Sequence, residues 1–237
     1  MAGLKGKSAL VLGGSRGIGA AIVRRFTAEG AAVIFTYAGS RQAAEQVAAE
    51  TGATAAMTDS ADRNAVIARV RESGPLDILV VNAGVAMMGD PLELDADEVD
   101  RMILINVHAP YHAAVEAARQ MREGARIIVI GSNVGDHVGF PGIAAYTLTK
   151  AAVQGLVRGL ARDFGPRGIT VNAVQPGPVD TDMNPADGPL KDTLYGLMAL
   201  RRHGRPEEIA GLVAWLAGPE ASFATGAMHT IDGGFNA

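Results

Sequence analysis

The 237-residue chain has no cysteine, so disulfides, thiolate nucleophiles and thiolate-held metals are excluded. No basic run is longer than Arg201-Arg202, and the formal net charge is −4. Both facts argue against a nucleic-acid polymer or a membrane surface as the main partner. The five histidines lack the compact spacing of a zinc site. His108 and His112 share a helical face without the glutamate of an H-E-x-x-H arrangement, so no metal is expected. No Pro/Gly/Ser-rich linker and no internal repeat divides the chain, which predicts one domain over 1–237. The opening MAGLKGKSALVLGG lacks the charged and long apolar regions of a signal peptide, and a cytoplasmic protein is expected.

What is present is apolar and rich in glycine. Hydrophobic residues make up 48% of the chain, enough for a large core, and many of the 30 glycines fall at the ends of apolar runs. SALVL, AVIFTY, ATAAM, DILVVN, ARIIVIG and GITVNAVQ read as buried strands, and MHTI reads as a seventh. Between them lie stretches of helical spacing such as IGAAIVRRFTAEG and RNAVIARVRESG. Continuous apolar strands joined by helices predict an α/β protein, a doubly wound, mostly parallel sheet covered on both faces. Ligands of such sheets bind beyond the carboxyl ends of the strands.

The first strand runs into Gly13-Gly14-Ser15-Arg16-Gly17-Ile18-Gly19. Gly13 suits a tight turn, Gly17 admits a diphosphate close to the backbone, and Gly19 allows close helix packing. Free N–H groups at the start of the following helix would then face the negative charge. After the second strand comes Phe35-Thr36-Tyr37-Ala38-Gly39-Ser40-Arg41, with no carboxylate for the ribose hydroxyls of NAD. Arg16, Ser40 and Arg41 are instead placed to surround a 2′-phosphate, which predicts NADPH/NADP+ as cofactor. Asp59-Ser60 follows the third strand, where an adenine edge would lie, and Asn82-Ala83-Gly84 follows the fourth.

Tyr146 and Lys150 lie four residues apart in a segment of helical periodicity and share one face. A phenol with a reference pKa of about 10 is a poor acid at neutral pH. A neighbouring ammonium and an oxidised nicotinamide would lower it. Ser132, at the end of the fifth strand, can orient a carbonyl oxygen. Asn106, in an earlier helical segment, can hold a water or backbone link back to Lys150. Such a set would reduce a carbonyl, with Tyr146 as proton donor.

In this order the motifs resemble the short-chain dehydrogenase/reductase family over nearly the whole chain. They run from the glycine turn through Asn82-Ala83-Gly84, Asn106, Ser132 and Tyr146-Thr147-Leu148-Thr149-Lys150 to Pro176-Gly177-Pro178-Val179-Asp180-Thr181. The resemblance implies a single-domain, seven-stranded Rossmann sheet, an Asn106-Ser132-Tyr146-Lys150 tetrad, and homodimers or homotetramers. It also implies that Val179 meets the cofactor's carboxamide through its backbone and that Thr181 meets the carboxamide or diphosphate. Pro176 and Gly177 would lie beside them. Two departures stand out. Leu12 replaces a threonine, and Ser132 lies one position further from Tyr146 than is common, so that Asn133 holds the usual spacing. Ser132 is preferred because a loop absorbs one extra residue. LGGSRGIGAAIVRRF, TYAGS, NVHAPYHAAVEAARQM and HTIDGG are similar to a branch of the family that implies cyclic-di-GMP as a ligand and a part in biofilm dispersal.

A substrate cleft is expected to be lined by Met87, Met88, Val134, His137 and Phe140. A lid over about 182–203 would turn Leu194, Tyr195 and Met198 inward. Ala109, Ala113, Ala152 and Gly155 read as outward positions for a second subunit. Three functions stay open: an NADPH-dependent carbonyl reductase, a cyclic-di-GMP-binding regulator with or without that activity, and a cofactor-bound structural or interaction protein.

Overall fold

A computed structural model describes residues 3–237; Met1 and Ala2, part of the opening run, lie outside it. Seven strands form one parallel sheet in the order β3-β2-β1-β4-β5-β6-β7. They are β1 (Ser8–Leu12), β2 (Ala32–Tyr37), β3 (Thr54–Met57), β4 (Ile78–Val81), β5 (Arg126–Ile130), β6 (Thr170–Pro176) and β7 (Met228–Ile231). The helices are α1 (Gly17–Ala28), α2 (Arg41–Thr51), α3 (Arg63–Glu72), α4 (Ala96–Ile103), α5 (Ala109–Gln120), α6 (Ala144–Phe164), α7 (Lys191–Leu197) and α8 (Pro206–Ala217).

The central strands β1, β4 and β5 are almost wholly apolar because both faces are covered, and their side chains alternate between two cores. Ala9, Val11, Ile78, Val80, Ile128 and Ile130 point to one face, under Ile22 and Phe26 of α1 and Ile209 and Val213 of α8. Leu10, Leu12, Leu79, Val81, Ile127 and Val129 point to the other, under Val66 of α3, Ala113 of α5 and Val157 of α6. Ala109 and Ala113 are therefore core residues, 2% and 0% exposed, and not the outward positions expected of them. Their small side chains bring α5 close against the sheet. Ala152 is half-buried, and Gly155 alone of the four is exposed.

Two departures from regular helix and strand bear on the site. Leu104–His108, between α4 and α5, is a turn of π-helix that carries Asn106. Between β6 and α8 the chain makes an excursion whose ends are pinned together. Asp180 N–H donates to Gly204 O at 2.9 Å, and Gly204 N–H donates to Pro178 O at 2.9 Å. The excursion contains α7. Its Leu194 and Met198 pack on Phe235 near the C-terminus and on Phe140, in a small apolar cluster of their own. Among the described residues no helix is long and apolar enough to cross a membrane.

Candidate active site

A cavity of about 690 Å³ runs along the carboxyl ends of the strands, from the β2 end to α6. Its floor is the glycine turn. Gly13 sits at φ +80°, and a Cβ there would lie 2.7 Å from the Ala83 backbone, so only glycine fits. Leu12 supplies no hydroxyl, but the turn is held from the neighbouring strand. Gly13 N–H donates to Thr36 Oγ1 at 2.9 Å, and Asn82 Nδ2 donates to Gly13 O at 2.7 Å. The helix that follows begins at Gly17 with no side-chain cap and no acidic residue in its first turn. Its uncapped N–H groups and the positive end of its dipole fit a diphosphate.

Most residues expected to hold the cofactor line this cavity: Gly13, Ser15, Arg16, Gly17, Ile18, Tyr37, Ser40, Asp59, Ser60, Asn82, Ala83, Gly84, Pro176, Gly177, Val179 and Thr181. Gly19 does not line it; it lies beneath, where a Cβ would come 1.9 Å from Gly13 O. Arg41 does not line it either. It faces solvent and pairs with Glu45 one turn along α2, at 2.9 Å. Arg16 stays at the mouth, where it meets Asp182 of the excursion at 3.2 Å. Of the two arginines assigned to a 2′-phosphate, Arg16 lines the cavity and Arg41 directly follows the lining residue Ser40.

At the other end of the cavity the four reactive candidates come together, with Ser132, Tyr146 and Lys150 on its wall. Ser132 does not end β5. It lies two residues beyond it and starts a short 3-10 turn, Asn133–Gly135. Its hydroxyl stands beside the Tyr146 phenol, whereas Asn133 is tied to the C-terminal loop through Asn236. The extra loop residue is absorbed in that turn, and the serine keeps its place. Lys150 Nζ donates to Ile130 O at 3.1 Å and lies 5.6 Å from the Tyr146 ring centre. Asn106 uses its whole amide. Its Oδ1 accepts from Val85 N–H at 3.0 Å, and its Nδ2 donates to Val85 O at 2.8 Å and Thr149 Oγ1 at 3.0 Å. It braces the Gly84-Val85 backbone against α6. A Cβ on Gly84 would sit 3.4 Å from Asn106 Oδ1 and 3.6 Å from Lys150 Nζ.

The protein's own groups do not acidify the Tyr146 phenol. Burial pushes its pKa up to about 12, and the Ser132 hydroxyl pulls weakly the other way. Burial also lowers Lys150 from 10.5 to about 8. The ammonium is aimed at a backbone carbonyl, so desolvation outweighs its pull on the phenol.

That desolvation has a consequence for stability. Below about pH 8 the folded chain holds a buried ammonium, a cost worth roughly 3 kcal/mol for the shift from 10.5 to about 8. Lys150→Met removes it and leaves Ile130 O without its donor, which returns about 1 kcal/mol. The variant is expected to be more stable at pH 7 by about 2 kcal/mol in urea denaturation. The gain should fade between about pH 8 and 10.5, as the native lysine loses its proton before the unfolded one does.

The wall opposite the glycine turn is largely apolar. Met88, Val134 and Phe140 line the cavity as expected, joined by Leu190 and Leu194 of the excursion. Met87, His137, Tyr195 and Met198 do not line it. Met198 and Tyr195 are packed within the excursion's own cluster, and His137 stands edge-on to Phe235. Several lining residues escaped the sequence reading, Arg101 and Phe235 among them. Arg101, on α4, reaches Asp59 at 3.1 Å, and Phe235 closes the apolar end. Neither belongs to a motif; an isolated arginine on a polar helix face and a phenylalanine past the last strand carry no local signal.

Comparison with known proteins agrees with this geometry. A family model described as enoyl-(acyl carrier protein) reductase matches residues 13–236. The cyclic-di-GMP-binding biofilm dispersal mediator protein of Escherichia coli K12 is 68% identical over 237 residues, the whole of both chains. A crystal structure of BdcA in complex with NADPH superposes with a TM-score of 0.97 at 68% identity, covering 98% of this chain and 95% of that one. A short-chain dehydrogenase/reductase from Serratia marcescens superposes with a TM-score of 0.95 at 54% identity, covering 99% and 100%. With the sheet order, the glycine turn and the Tyr146-Lys150 pair on one cavity wall, these matches place the chain in the short-chain dehydrogenase/reductase family.

Proposed function

We propose that this chain is an NADP(H)-binding counterpart of the E. coli biofilm dispersal mediator, and that its reactive end reduces a carbonyl group. The first part is carried by 68% identity over the full length of both proteins. It takes cyclic-di-GMP as a ligand from that relative. The second part is carried by the meeting of Ser132, Tyr146 and Lys150 on one cavity wall, next to the glycine turn.

The glycine turn and the N-terminus of α1 would hold the reduced cofactor, which would supply a hydride. Everything else is work for the chain's own side chains. Ser132 donates to the substrate oxygen and fixes its direction. Tyr146 Oη holds the proton that the oxygen receives. Burial raises the phenol's pKa and so keeps that proton in place at neutral pH. An alkoxide is a stronger base than a phenolate, so transfer is downhill once negative charge builds on the oxygen. The buried Lys150 ammonium then stabilises the phenolate, and Asn106 keeps the Gly84-Val85 backbone in place beside it. Leu190, Leu194, Phe140 and Phe235 favour an apolar substrate body and exclude water. The excursion over 182–203 serves as the lid, and we place the protein in the cytoplasm as a homodimer or homotetramer.

The test has two arms. NADPH oxidation is followed with ketones, aldehydes and diketones, and cyclic-di-GMP binding is measured by titration calorimetry on the same protein. Turnover without binding leaves only the reductase; binding without turnover leaves only the regulator. Arg16→Ala addresses the cofactor. A lost charge-assisted contact is worth about 1.5–3 kcal/mol, so the NADPH to NADH preference in kcat/KM should fall by about tenfold or more. An unchanged ratio would remove Arg16 from the 2′-phosphate.

A further inference from the structure

We infer that cyclic-di-GMP and NADPH compete for this one cleft, and that the Asp59–Arg101 pair reads a guanine there. The inference rests on the proposed binding of cyclic-di-GMP. A cyclic dinucleotide carries two anionic phosphodiesters and two purines, so its site needs anion donors, a flat wall and hydrogen-bonding groups for a base edge. The cleft offers all three among the described residues. The N-terminus of α1 and Arg16 line the part of the cleft that would take the phosphates, and Tyr37 lines the end that would take a purine. A second cavity, lined by Asn64, Ile67, Ala68, Arg71 and Glu72, has no glycine turn, and its Arg71 is engaged by Glu116 at 2.8 Å.

The purine end carries more than an adenine requires. Asp59 Oδ1 accepts from Ala61 N–H at 2.9 Å, which fixes the carboxylate, and Arg101 Nη2 meets both carboxylate oxygens at 3.1 and 3.3 Å. A carboxylate alone accepts from the amino group of adenine. Guanine presents two acceptors, O6 and N7, which suit a guanidinium, and N–H donors on its other edge, which suit a carboxylate. Adenine offers the guanidinium N7 alone and sets its amino group against it. Arg101 therefore favours guanine. Both partners are about half exposed, so the pair opens for a base at little cost.

The experiment follows NADPH fluorescence on the full chain while cyclic-di-GMP is added. Cyclic-di-AMP and the Arg101→Met variant serve as comparisons. Cyclic-di-GMP should displace NADPH fully, and its apparent Kd should rise in proportion to NADPH concentration. Arg101→Met should weaken cyclic-di-GMP by about tenfold and bring it level with cyclic-di-AMP. NADPH affinity should change by less than about threefold, because Arg101 reaches only one edge of its base. Equal cyclic-di-GMP affinity in calorimetry with and without saturating NADPH would overturn the shared site while leaving the proposed function standing. Equal weakening of both cyclic dinucleotides would overturn the guanine reading. Failure of cyclic-di-GMP to bind the cofactor-free protein would overturn the regulatory function itself.

Discussion

Tyr146→Phe is expected to lower NADPH-dependent carbonyl reduction by about 10²-fold or more while leaving NADPH affinity within about twofold. The phenol oxygen is the only atom removed. The ring stays in place beneath Lys150, whose Nζ is anchored on Ile130 O and not on the phenol. Loss of turnover with unchanged binding therefore isolates proton donation. The fall should appear in kcat and in kcat/KM alike, as it does when a contact made only in the transition state is lost. Removing the hydroxyl also removes its hydrogen bond with Ser132, so stability at neutral pH should fall by no more than about 1 kcal/mol. Stopped-flow NADPH oxidation and urea denaturation of the same variant check both statements. Equal turnover by the variant would move the proton donor away from Tyr146.

Gly19→Ala should abolish cofactor binding through the fold and not through contact. The added methyl would lie 1.9 Å from Gly13 O and 2.6 Å from Asn82 Nδ2. Those two atoms form the 2.7 Å hydrogen bond that ties the glycine turn to the end of β4. Relief requires α1 to move away from the turn, and α1 packs its whole inner face on the sheet and on α8. We expect a loss of about 3 kcal/mol in stability, and at least about 10²-fold in NADPH affinity as the N-terminus of α1 leaves the diphosphate. Gly155→Ala is the control. Nothing lies within 4 Å of a Cβ at that exposed helical position, and the substitution should stabilise the chain by roughly 0.5–1 kcal/mol. Thermal unfolding separates the two glycines by sign.

The central strands were legible because burial on both faces leaves unbroken apolar runs; β3 and β7, at the sheet's part-exposed edges, left shorter runs, and all seven stand where the runs lie. The glycine turn was equally legible, since only glycine tolerates the Ala83 backbone that close to Gly13. What escaped is set by tertiary contact. The π-turn under Asn106 has no periodic mark, because one extra residue per turn shifts a helical pattern without breaking it. Ala109 and Ala113 looked like a small-residue face and are core, since alanine is as fit for tight packing on a sheet as for a subunit contact. Arg41 directly follows the cavity edge, and its turn toward Glu45 is set by helical spacing along α2, which no motif records. Arg101 and Phe235 reach the cavity from segments far from any motif, and only folding brings them there.

The strand order has a further meaning for how the chain comes into being. Reading β3-β2-β1-β4-β5-β6-β7 in order of synthesis, each new strand joins an edge that is already free: β2 and β3 on one side of β1, then β4 to β7 in succession on the other. No strand has to be wedged between two that have already paired. A nascent chain leaving the ribosome from its N-terminus can thus lay down the glycine turn and the β1–β2 pair first and extend the sheet outward without undoing any step. The half that carries the glycine turn can take shape while Tyr146 and the excursion between β6 and α8 are still being translated.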